Sequence, residues 1–265
     1  MYDSYNRRID YLRISVTDKC NLRCRYCMPE EGVPVRGHGE FLSFEQISAV
    51  VRAAVGLGVT KVRLTGGEPL VKRGIVDLVG MLHGIEGLRH LAMTTNGTLL
   101  TRYAGDLKAA GLDSLNISLD TLDPQRYRRL TRGGEIRSVL AGIDAAAVHR
   151  FPVKINTVVL EDTSEQEIEG LRRFCSERGL KLQLINHYDL AAEKRDDYRY
   201  DRPPRCEECN RIRLLADGTL KPCLHSDQEI PVDMNDIEGS LLETVARKPA
   251  RGQACTVRNM MEIGG

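Results

Sequence analysis

Residues 18–29 read Asp18-Lys19-Cys20-Asn21-Leu22-Arg23-Cys24-Arg25-Tyr26-Cys27-Met28-Pro29 and carry three cysteines in the spacing Cys-x3-Cys-x2-Cys. They directly follow an apolar, strand-like segment, Tyr11 to Val16. Three thiolates on one tight loop can bind three irons of a cubane 4Fe-4S cluster. Because no fourth cysteine lies nearby, the last iron would keep an open position for an exogenous ligand, which indicates chemistry rather than simple electron storage. The alternative for this spacing is a structural zinc ion with a distant fourth ligand.

The other five cysteines form a second group and two single positions. Cys206, Cys209 and Cys223 have the spacing Cys-x2-Cys-x13-Cys, whereas Cys175 and Cys255 stand alone. Thiols stay reduced in the cytosol, so eight cysteines indicate metal ligands rather than disulfides. The second group is typical of a second three-cysteine iron-sulfur cluster, or of a zinc ribbon that lacks one ligand. Cys175 lies in an amphipathic stretch and is predicted to be a core residue, while Cys255 could be core or functional.

The composition argues against two classes of partner. With 265 residues and 42% apolar content, the chain can bury a substantial core. Its formal net charge of +1 gives no overall reason to expect a nucleic-acid or membrane partner. The sequence shows no signal-peptide pattern, and no apolar run reaches about 18 residues. We therefore expect a cytoplasmic protein without a membrane or nucleic-acid partner.

The fold class follows from apolar, β-branched runs that alternate with amphipathic stretches. Phe44 to Gly56 and Thr163 to Gly179 are predicted helices, the first with a capping-box pattern at Ser43 and Gln46. The alternation predicts βαβ units on a parallel sheet. We expect an α/β fold, an incomplete (β/α)6 TIM-like barrel with functional loops at the carboxyl ends of its strands. The six predicted strands are Tyr11 to Val16, Lys61 to Thr65, Leu88 to Thr95, Ser114 to Leu119, Val153 to Leu160 and Leu180 to Asn186.

The domain organisation changes near residue 190. Residues 1–190 are predicted to form the partial barrel, and residues 191–265 a C-terminal extension that carries the second cysteine group. The charged stretch Glu193 to Pro204 is predicted to be a mobile loop or linker. Beyond it, Arg211 to Leu215 and Thr219 to Cys223 are predicted to pair as a hairpin across the turn Asp217-Gly218.

Further motifs lie where a cluster on the first loop requires them. Thr65-Gly66-Gly67-Glu68-Pro69 ends the second strand; its glycines permit close backbone approach to a ligand, and Glu68 can accept from an ammonium group. Tyr26 can pack beside a cluster ligand, although an aromatic residue there also suits the core. Arg211 and Arg213 alternate along a strand-like run, so both project to one face, where they could bind a polyphosphate.

The spacing Cys20-x3-Cys24-x2-Cys27 with Tyr26, followed by Gly66-Gly67-Glu68, resembles the radical S-adenosylmethionine (SAM) superfamily. The resemblance implies that the open iron chelates the amino and carboxylate groups of the methionine moiety, and that the Gly-Gly-Glu loop contacts the amino group. It also implies reductive cleavage of the sulfonium to a 5′-deoxyadenosyl radical. The implied SAM-binding residues are Tyr26, Gly66, Gly67, Glu68 and Ser118.

An ordered series of motifs along nearly the whole chain is similar to one family, the GTP 3′,8-cyclases (MoaA) of molybdenum cofactor biosynthesis. In this family the radical takes hydrogen from C3′ of the GTP ribose, and the carbon radical attacks C8 of guanine. The resemblance implies SAM as cofactor and two 4Fe-4S clusters, held by Cys20, Cys24 and Cys27 and by Cys206, Cys209 and Cys223. The matching motifs are Leu12 to Cys20, Thr65 to Pro69, Thr94 to Gly97, Asn116 to Asp120, Lys154 to Thr157, Cys206 to Arg213 and Met261 to Gly265.

The same resemblance assigns roles toward the substrate and partners. The open iron of the second cluster would face the guanine. The double-glycine tail, Gly264 and Gly265, would reach into the active site. The implied catalytic residues are Gly264, Gly265 and Arg213. The expected partners are GTP or another small substrate, a reductant protein such as flavodoxin or ferredoxin, and a downstream pterin synthase. Cations suit an anionic triphosphate, and the matching substrate-binding positions are Arg13, Arg63, Thr94, Lys154, Arg211 and Arg213.

The chain departs from the family pattern after the sixth predicted strand. The segment before the second cysteine group is considerably shorter, and Gln183 stands where the family usually has an arginine. Asn186-His187-Tyr188 replaces an acidic-aromatic-methionine element, and His187 could be a ligand, a base or a hydrogen-bonded structural residue. Two other functions are therefore weighed. One is a twin-cluster paralogue that modifies another nucleotide or a peptide, and the other is an iron-sulfur electron carrier or structural zinc protein, in which the Gly-Gly-Glu loop would have no purpose.

Overall fold

The computed structural model describes residues 1–30, 32, 38–195, 197–200 and 204–264. Within these residues, one sheet of nine strands runs through the molecule in the order β6-β5-β4-β3-β2-β1-β7-β8-β9. The strands are β1 (Tyr11–Ser15), β2 (Lys61–Thr65), β3 (His90–Thr95), β4 (Ser114–Ser118), β5 (Val153–Val159), β6 (Lys181–Asn186), β7 (Arg211–Leu214), β8 (Thr219–Lys221) and β9 (Ile230–Pro231).

Helices connect most of the strands. The first, α1, begins with the expected capping box: the Ser43 hydroxyl accepts from the Gln46 backbone N–H, and the Gln46 side chain accepts from the Ser43 N–H. The helices are α1 (Phe44–Gly56), α2 (Ile75–His83), α3 (Leu100–Ala109), α4 (Pro124–Leu130), α5 (Ile136–Val148), α6 (Glu165–Glu177), α7 (Ile237–Ala246) and α8 (Met260–Ile263).

Strands β1 to β6 are all parallel to their neighbours. Each is separated from the next by at least one helix, so the structure confirms the predicted α/β class and all six predicted strands, whose ends shift by at most two residues. In this arrangement the loops that follow the strands gather at one edge of the sheet, which is where parallel α/β folds place their functional groups.

The C-terminal hairpin joins the main sheet. Strands β7 and β8 pair antiparallel, as the turn at Asp217-Gly218 predicted, but β7 also pairs parallel with β1, with Arg13 opposite Arg213. The boundary at residue 190 stays a prediction. The second cysteine group thereby lies beside the first strand of the sheet rather than on a detached unit.

The core lies between the sheet and its helices and contains residues such as Ile14, Leu64 and Val79. Cys175 belongs to it and is only 2% exposed, which confirms its predicted core position. Cys255 packs in a smaller apolar cluster with Leu190, Leu215 and Ile263. None of the helices in the described part of the chain is long and apolar enough to span a membrane.

Candidate active site

Side chains from alternate positions of neighbouring strands line one cavity, here called the cationic cavity. Tyr11 and Arg13 come from β1, and cross-strand neighbours from β2 and β7 lie at the same levels of the sheet. Among its described lining residues are nine cations and no Asp or Glu side chain. The nine are Arg7, Arg13, Lys61, Arg63, Lys154, Lys194, Arg211, Arg213 and Lys248.

The electrostatics of this cavity are unfavourable without an anion. Burial lowers the pKa of Arg13 to about 9, against the opposing effect of Tyr11, and Arg213 adds to the lowering. Burial and the neighbouring Arg211 lower the pKa of Arg213 as well. Nε of Arg211 and one Nη of Arg213 are buried without a hydrogen-bond partner. A multiply charged anion would satisfy these donors and relieve the repulsion between the cations.

The first three cysteines line a second cavity, here called the thiol cavity, together with Tyr26, Gly66, Gly67 and Ser118. Backbone N–H groups of Cys27 and Met28 both donate to the Cys24 carbonyl, so the cysteine loop makes a single tight turn. Such a turn directs nearby thiols toward one ligand.

Gly66 and Gly67 hold this loop in place through their backbone. The Gly67 N–H donates to the Thr17 carbonyl at 2.7 Å, and the Glu68 N–H to the Lys19 carbonyl at 2.8 Å. A Cβ atom on Gly66, whose φ is +150°, would lie 2.5 Å from the Thr17 oxygen, and one on Gly67 would meet the Lys19 carbonyl. The two glycines are therefore required by contact with the cysteine loop, in addition to the predicted approach to a ligand.

Glu68 lies behind the Gly-Gly loop and is only 1% exposed. Its carboxylate accepts from the Thr95 hydroxyl at 2.7 Å, the Asn96 N–H at 2.7 Å and the Leu70 N–H at 3.0 Å. Burial raises the pKa of Glu68 to about 7, although these hydrogen bonds oppose the rise. Three of about four acceptor positions of the carboxylate are thus used within the protein, and its contact with an ammonium group stays a prediction.

Tyr26 is held by a residue that sequence reasoning did not single out. Its hydroxyl donates to Asp120 at 2.5 Å, and the other carboxylate oxygen of Asp120 accepts from the Val158 N–H at 2.8 Å. Burial raises the pKa of Asp120 to about 6, and Tyr26 partly opposes this rise. His187 meets the edge of the Tyr26 ring, with 6.4 Å between ring centroids, and is exposed.

The second cysteine group lines the cationic cavity, where two buried lysines contact its sulfurs. Lys248 donates to Cys209 Sγ at 3.4 Å, and Lys194 donates to Cys206 Sγ at 2.9 Å. Burial alone would raise the pKa of Cys209, but Lys248 and Arg211 outweigh it and lower this pKa. Lys194 is 6% exposed, whereas its neighbours Glu193 and Arg195 are exposed, so the charged stretch is anchored to the second cysteine group at this one residue.

The two cavities meet near the C-terminal residues. Asn156, Ile185 and Tyr188 line both of them. Arg13 lines the cationic cavity and donates to the carbonyl oxygen of Gly264, which lines the thiol cavity, at 3.0 Å. Of the predicted catalytic residues, Gly264 lines the thiol cavity and Arg213 the cationic cavity, while Gly265 lies outside the described residues. Their catalytic role stays a prediction.

Of the predicted substrate-binding residues, only Thr94 lies apart from the cationic cavity. It lines the thiol cavity, and its hydroxyl lies 3.4 Å from one Nη of Arg63. Gln183, which replaces the arginine expected in β6, lines the cationic cavity. The roles of all these residues stay predictions.

Comparison with known proteins identifies the family. A model of the Radical SAM superfamily matches residues 14–175. The chain belongs to the radical SAM superfamily. It is 39% identical to the GTP 3′,8-cyclase of Alkaliphilus oremlandii and 40% identical to that of Peptoclostridium acidaminophilum, over all of this chain and at least 98% of each relative. The chain therefore belongs to the GTP 3′,8-cyclase family as well, as the resemblance of its motifs predicted.

The relatives are longer than this radical SAM protein. The alignment with the Alkaliphilus protein extends over 320 positions, whereas this chain has 265 residues. The fold itself is similar to that of Streptococcus suis SuiB bound to S-adenosylmethionine, with a TM-score of 0.70 at 18% identity over 93% of this chain and 66% of SuiB. It is also similar to native anSMEcpe with bound AdoMet, with a TM-score of 0.67 at 16% identity over 90% of this chain and 81% of that one. Both likenesses confirm the fold class.

The residues present fit the cofactors that this superfamily uses, SAM and a 4Fe-4S cluster. Burial raises the pKa of the Cys24 thiol to about 12, and binding of a metal would favour its thiolate form. No group of three or more His, Cys, Asp or Glu residues in the described ranges is arranged to hold a single metal ion. In a cubane cluster each thiolate binds a different iron, so the three sulfur atoms lie farther apart than the ligands of a single metal ion. At the second group, lysine donors to sulfur suit thiolate ligands.

Three residues of the site, Tyr11, Lys194 and Lys248, had no signal that a sequence motif could provide, and Asp120 lay in a matching motif without a role of its own. Tyr11 begins an ordinary apolar strand, Asp120 ends the motif Asn116 to Asp120, and Lys194 and Lys248 lie in polar stretches. Their contacts become visible only in the fold. Tyr11 accepts from Arg63 and Asp120 accepts from Tyr26. Lys194 and Lys248 donate to sulfurs of the second cysteine group.

Proposed function

We propose that this chain catalyses the 3′,8-cyclisation of GTP in molybdenum cofactor biosynthesis. One observation carries the proposal: nine cations and no carboxylate line a cavity that holds the second cysteine group and adjoins the thiol cavity. A nucleoside triphosphate brings several negative charges that match such a cavity. Membership of the GTP 3′,8-cyclase family supports the same substrate.

On the thiol side, the protein binds and orients the cofactor. Cys20, Cys24 and Cys27 would hold a 4Fe-4S cluster, which with bound SAM supplies a 5′-deoxyadenosyl radical. Gly66 and Gly67 fix the cysteine loop by close backbone contact and line the cavity beside the thiols. Tyr26, positioned by Asp120, and Ser118 line the remainder of the cavity.

On the cationic side, the protein positions the nucleotide. The guanidinium groups of Arg13, Arg63, Arg211 and Arg213 occupy adjacent strands, so they can contact neighbouring phosphates of one chain. Lys154 on β5 extends the cationic surface toward Asn156, where the cavities meet. The second cluster, on Cys206, Cys209 and Cys223, would face the base. The ribose would then lie at the junction, near Gly264.

The partners and the compartment belong to the proposal as well. A one-electron reductant such as flavodoxin or ferredoxin would reduce the first cluster, and a pterin synthase would use the cyclised nucleotide. We also propose a cytoplasmic location, since the cysteine groups require reduced thiols.

The test is anaerobic turnover of the reconstituted protein. SAM and reductant are added with and without GTP, and 5′-deoxyadenosine and cyclised nucleotide are followed by mass spectrometry. GTP-dependent cyclised product is the expected result. Formation of 5′-deoxyadenosine with GTP left intact would contradict the proposal and favour another nucleotide or a peptide as substrate.

A pair of variants separates substrate binding from radical formation. Arg213→Ala should weaken GTP binding at least tenfold, because a charged donor to phosphate contributes about 1.5–3 kcal/mol. SAM cleavage should remain measurable, since Arg213 lines only the cationic cavity. Arg128→Ala, on the exposed side of α4, is the matched control and should change neither activity. Equal loss of both activities in Arg213→Ala would contradict this division.

A further inference from the structure

Tyr11 is an aromatic residue at the entrance of β1 whose ring lines the cationic cavity. It is 6% exposed, and its cross-strand neighbours are Lys61 on one side and Arg211 on the other. A tyrosine buried this far requires a hydrogen-bond partner for its hydroxyl.

The partner of the Tyr11 hydroxyl is a cation. Nε of Arg63 donates to the Tyr11 oxygen at 2.7 Å. Nζ of Lys61 lies 4.9 Å from the ring centroid, and Cζ of Arg211 lies 5.4 Å from it. The oxygen therefore acts as an acceptor toward Arg63, and both close ring contacts come from positive groups.

The charged groups that face Tyr11 from the packed elements are Arg13 on its own strand, Lys61 and Arg63 on β2, and Arg211 on β7. No Asp or Glu side chain is among the described residues that line this cavity. Burial alone would raise the pKa of Tyr11, but Arg13, Arg63 and Arg211 outweigh it and lower this pKa to about 7. Tyr188 lines the same cavity, yet burial raises its pKa, so the effect is specific to the position of Tyr11.

We propose that Tyr11 is the built-in counterion of the cationic cavity: its phenolate balances Arg63 and the neighbouring cations until a polyphosphate binds, and it then takes up a proton. The inference rests on the proposed function in one respect, namely that this cavity receives the polyphosphate. When the phosphates bring their own charge, the phenolate oxygen takes one proton from hydronium or a buffer acid in the solvent; the phenol O–H bond forms as the bond to hydrogen in that acid breaks, and the conjugate base stays in solution. Arg63 is then available to a phosphate oxygen, and the Tyr11 hydroxyl becomes a donor.

This role makes Tyr11 a positioning residue that favours polyanions. A ligand without phosphates offers no charge to replace the phenolate, so it would leave the cations paired with Tyr11. While Tyr11 carries its negative charge, it also weakens the repulsion between the neighbouring cations. The cations are therefore held close together before the polyphosphate binds, which preorganises the cavity.

The first measurement concerns the reconstituted protein without nucleotide. The pH dependence of tyrosinate absorption is recorded for the wild-type protein and for Tyr11→Phe, and the difference cancels the absorption of the clusters. We expect the difference to titrate near pH 7. Tyr103→Phe, on α3 and away from the cavity, should leave that transition in place. A Tyr11 midpoint at the ordinary tyrosine value of about 10 would overturn the proposal.

The second measurement adds inorganic triphosphate at about pH 8 and counts the protons taken up on binding with a pH indicator. Wild-type protein should take up close to one proton more per bound triphosphate than Tyr11→Phe. Equal proton counts in the two proteins would overturn the proposal. Failure of triphosphate to bind at all would instead contradict the proposed function, while the first measurement still decides the charge of Tyr11.

Discussion

At the scale of single residues, Asp120 determines how Tyr26 is presented to the thiol cavity. Asp120→Asn keeps the size of the side chain but removes the charge that accepts from Tyr26 at 2.5 Å. Because charge-assisted hydrogen bonds are about twice as strong as neutral ones, we expect SAM affinity to fall roughly tenfold.

The same residue predicts a pH dependence. The pKa of Asp120 is raised to about 6 by burial, so the carboxylate loses its charge as the pH falls through 6. Affinity for the cationic SAM should decline over that range more steeply in the wild-type protein than in Asp120→Asn, where Glu68, with a pKa of about 7, is left to titrate. Isothermal titration with SAM at several pH values measures both effects, and identical profiles for the two proteins would contradict them.

A second residue-scale prediction concerns Lys248, which is 2% exposed and donates to Cys209 Sγ and to the carbonyls of Arg211 and Pro222. Lys248→Met removes the positive charge beside the thiolates, so the second cluster should assemble poorly. Losing a residue that donates to a metal ligand typically costs ten- to a hundredfold in metal affinity. Iron and sulfide content should fall by about half, with the spectrum of the first cluster unchanged.

Lys108→Met, on the exposed surface of α3, is the matched control for Lys248→Met. It removes one lysine without touching either cavity, so both clusters should assemble as in the wild-type protein. A full complement of iron in Lys248→Met would show that the lysine is dispensable for the cluster.

The residue scale also shows where sequence reasoning stops. The cysteines and glycines could be assigned because their spacing along the chain carries the chemistry. Lys248 could not, since it lies 39 positions from Cys209 and no local pattern links the two. Glu68 was recognised as an acceptor, but two of its three donors, Thr95 and Asn96, depend on how β3 and the following loop pack against it, whereas the Leu70 N–H is local.

At the scale of elements, helix α1 and strands β1 to β6 were predictable because caps and apolar runs are local signals. The parallel pairing of β7 with β1 was not, because the four-residue strand β7 lies about two hundred positions along the chain from its partner. That pairing is what places Arg213 opposite Arg13 and brings the second cysteine group to the sheet.

The short helix α8 depends on one arginine. Arg258 joins the hairpin turn and the segment before β9, contacting Asp217 at 2.7 Å and Glu229 at 2.8 Å, and lies 3.4 Å from Glu262 within α8. Its side chain is 11% exposed, so these pairs are largely shielded from water. The carboxylates hold the guanidinium in place and raise its pKa.

We expect Arg258→Met to destabilise the protein by about 1.5–3 kcal/mol, because it removes the charged hydrogen bonds that Asp217 and Glu229 accept from one largely buried guanidinium. Residues 259–264 should exchange their amide hydrogens faster, and cyclised product should fall more than SAM cleavage does. Arg247→Met removes an exposed pair with Glu243 and should change the free energy of unfolding by less than about 1 kcal/mol. Equal unfolding free energies of the two variants would show that the network does not anchor α8.

At the scale of the whole molecule, the net charge does not reveal the concentration of positive charge around the cationic cavity. The chain has 38 basic and 37 acidic residues, so its composition gave no reason to expect a polyanion. The fold separates these charges and gathers nine cations around one cavity without a carboxylate. Net charge limits general association, whereas a local concentration of one sign decides which ligand is bound.

The contact between Arg13 and Gly264 joins the two cavities, so it is where cofactor and substrate chemistry would be coupled. Gly264 has a φ of +72°, and a Cβ atom there would meet the Thr65 hydroxyl and lie 3.3 Å from the Gly66 nitrogen. Gly264→Ala therefore combines backbone strain of about 1–2 kcal/mol with overpacking against the Gly-Gly loop.

We expect Gly264→Ala to lower cyclised product by roughly ten- to a hundredfold, which is the rate effect of a few kcal/mol, while 5′-deoxyadenosine still forms. Gly133→Ala is the matched control, because Gly133 also has a positive φ, +116°, but a Cβ there meets no atom within 4 Å. Any effect shared by both variants then reflects backbone strain alone. The measurement is the ratio of cyclised nucleotide to 5′-deoxyadenosine. A ratio that falls only in Gly264→Ala indicates that Gly264 couples the two cavities. An unchanged ratio would show that Gly264 takes no part in the cyclisation.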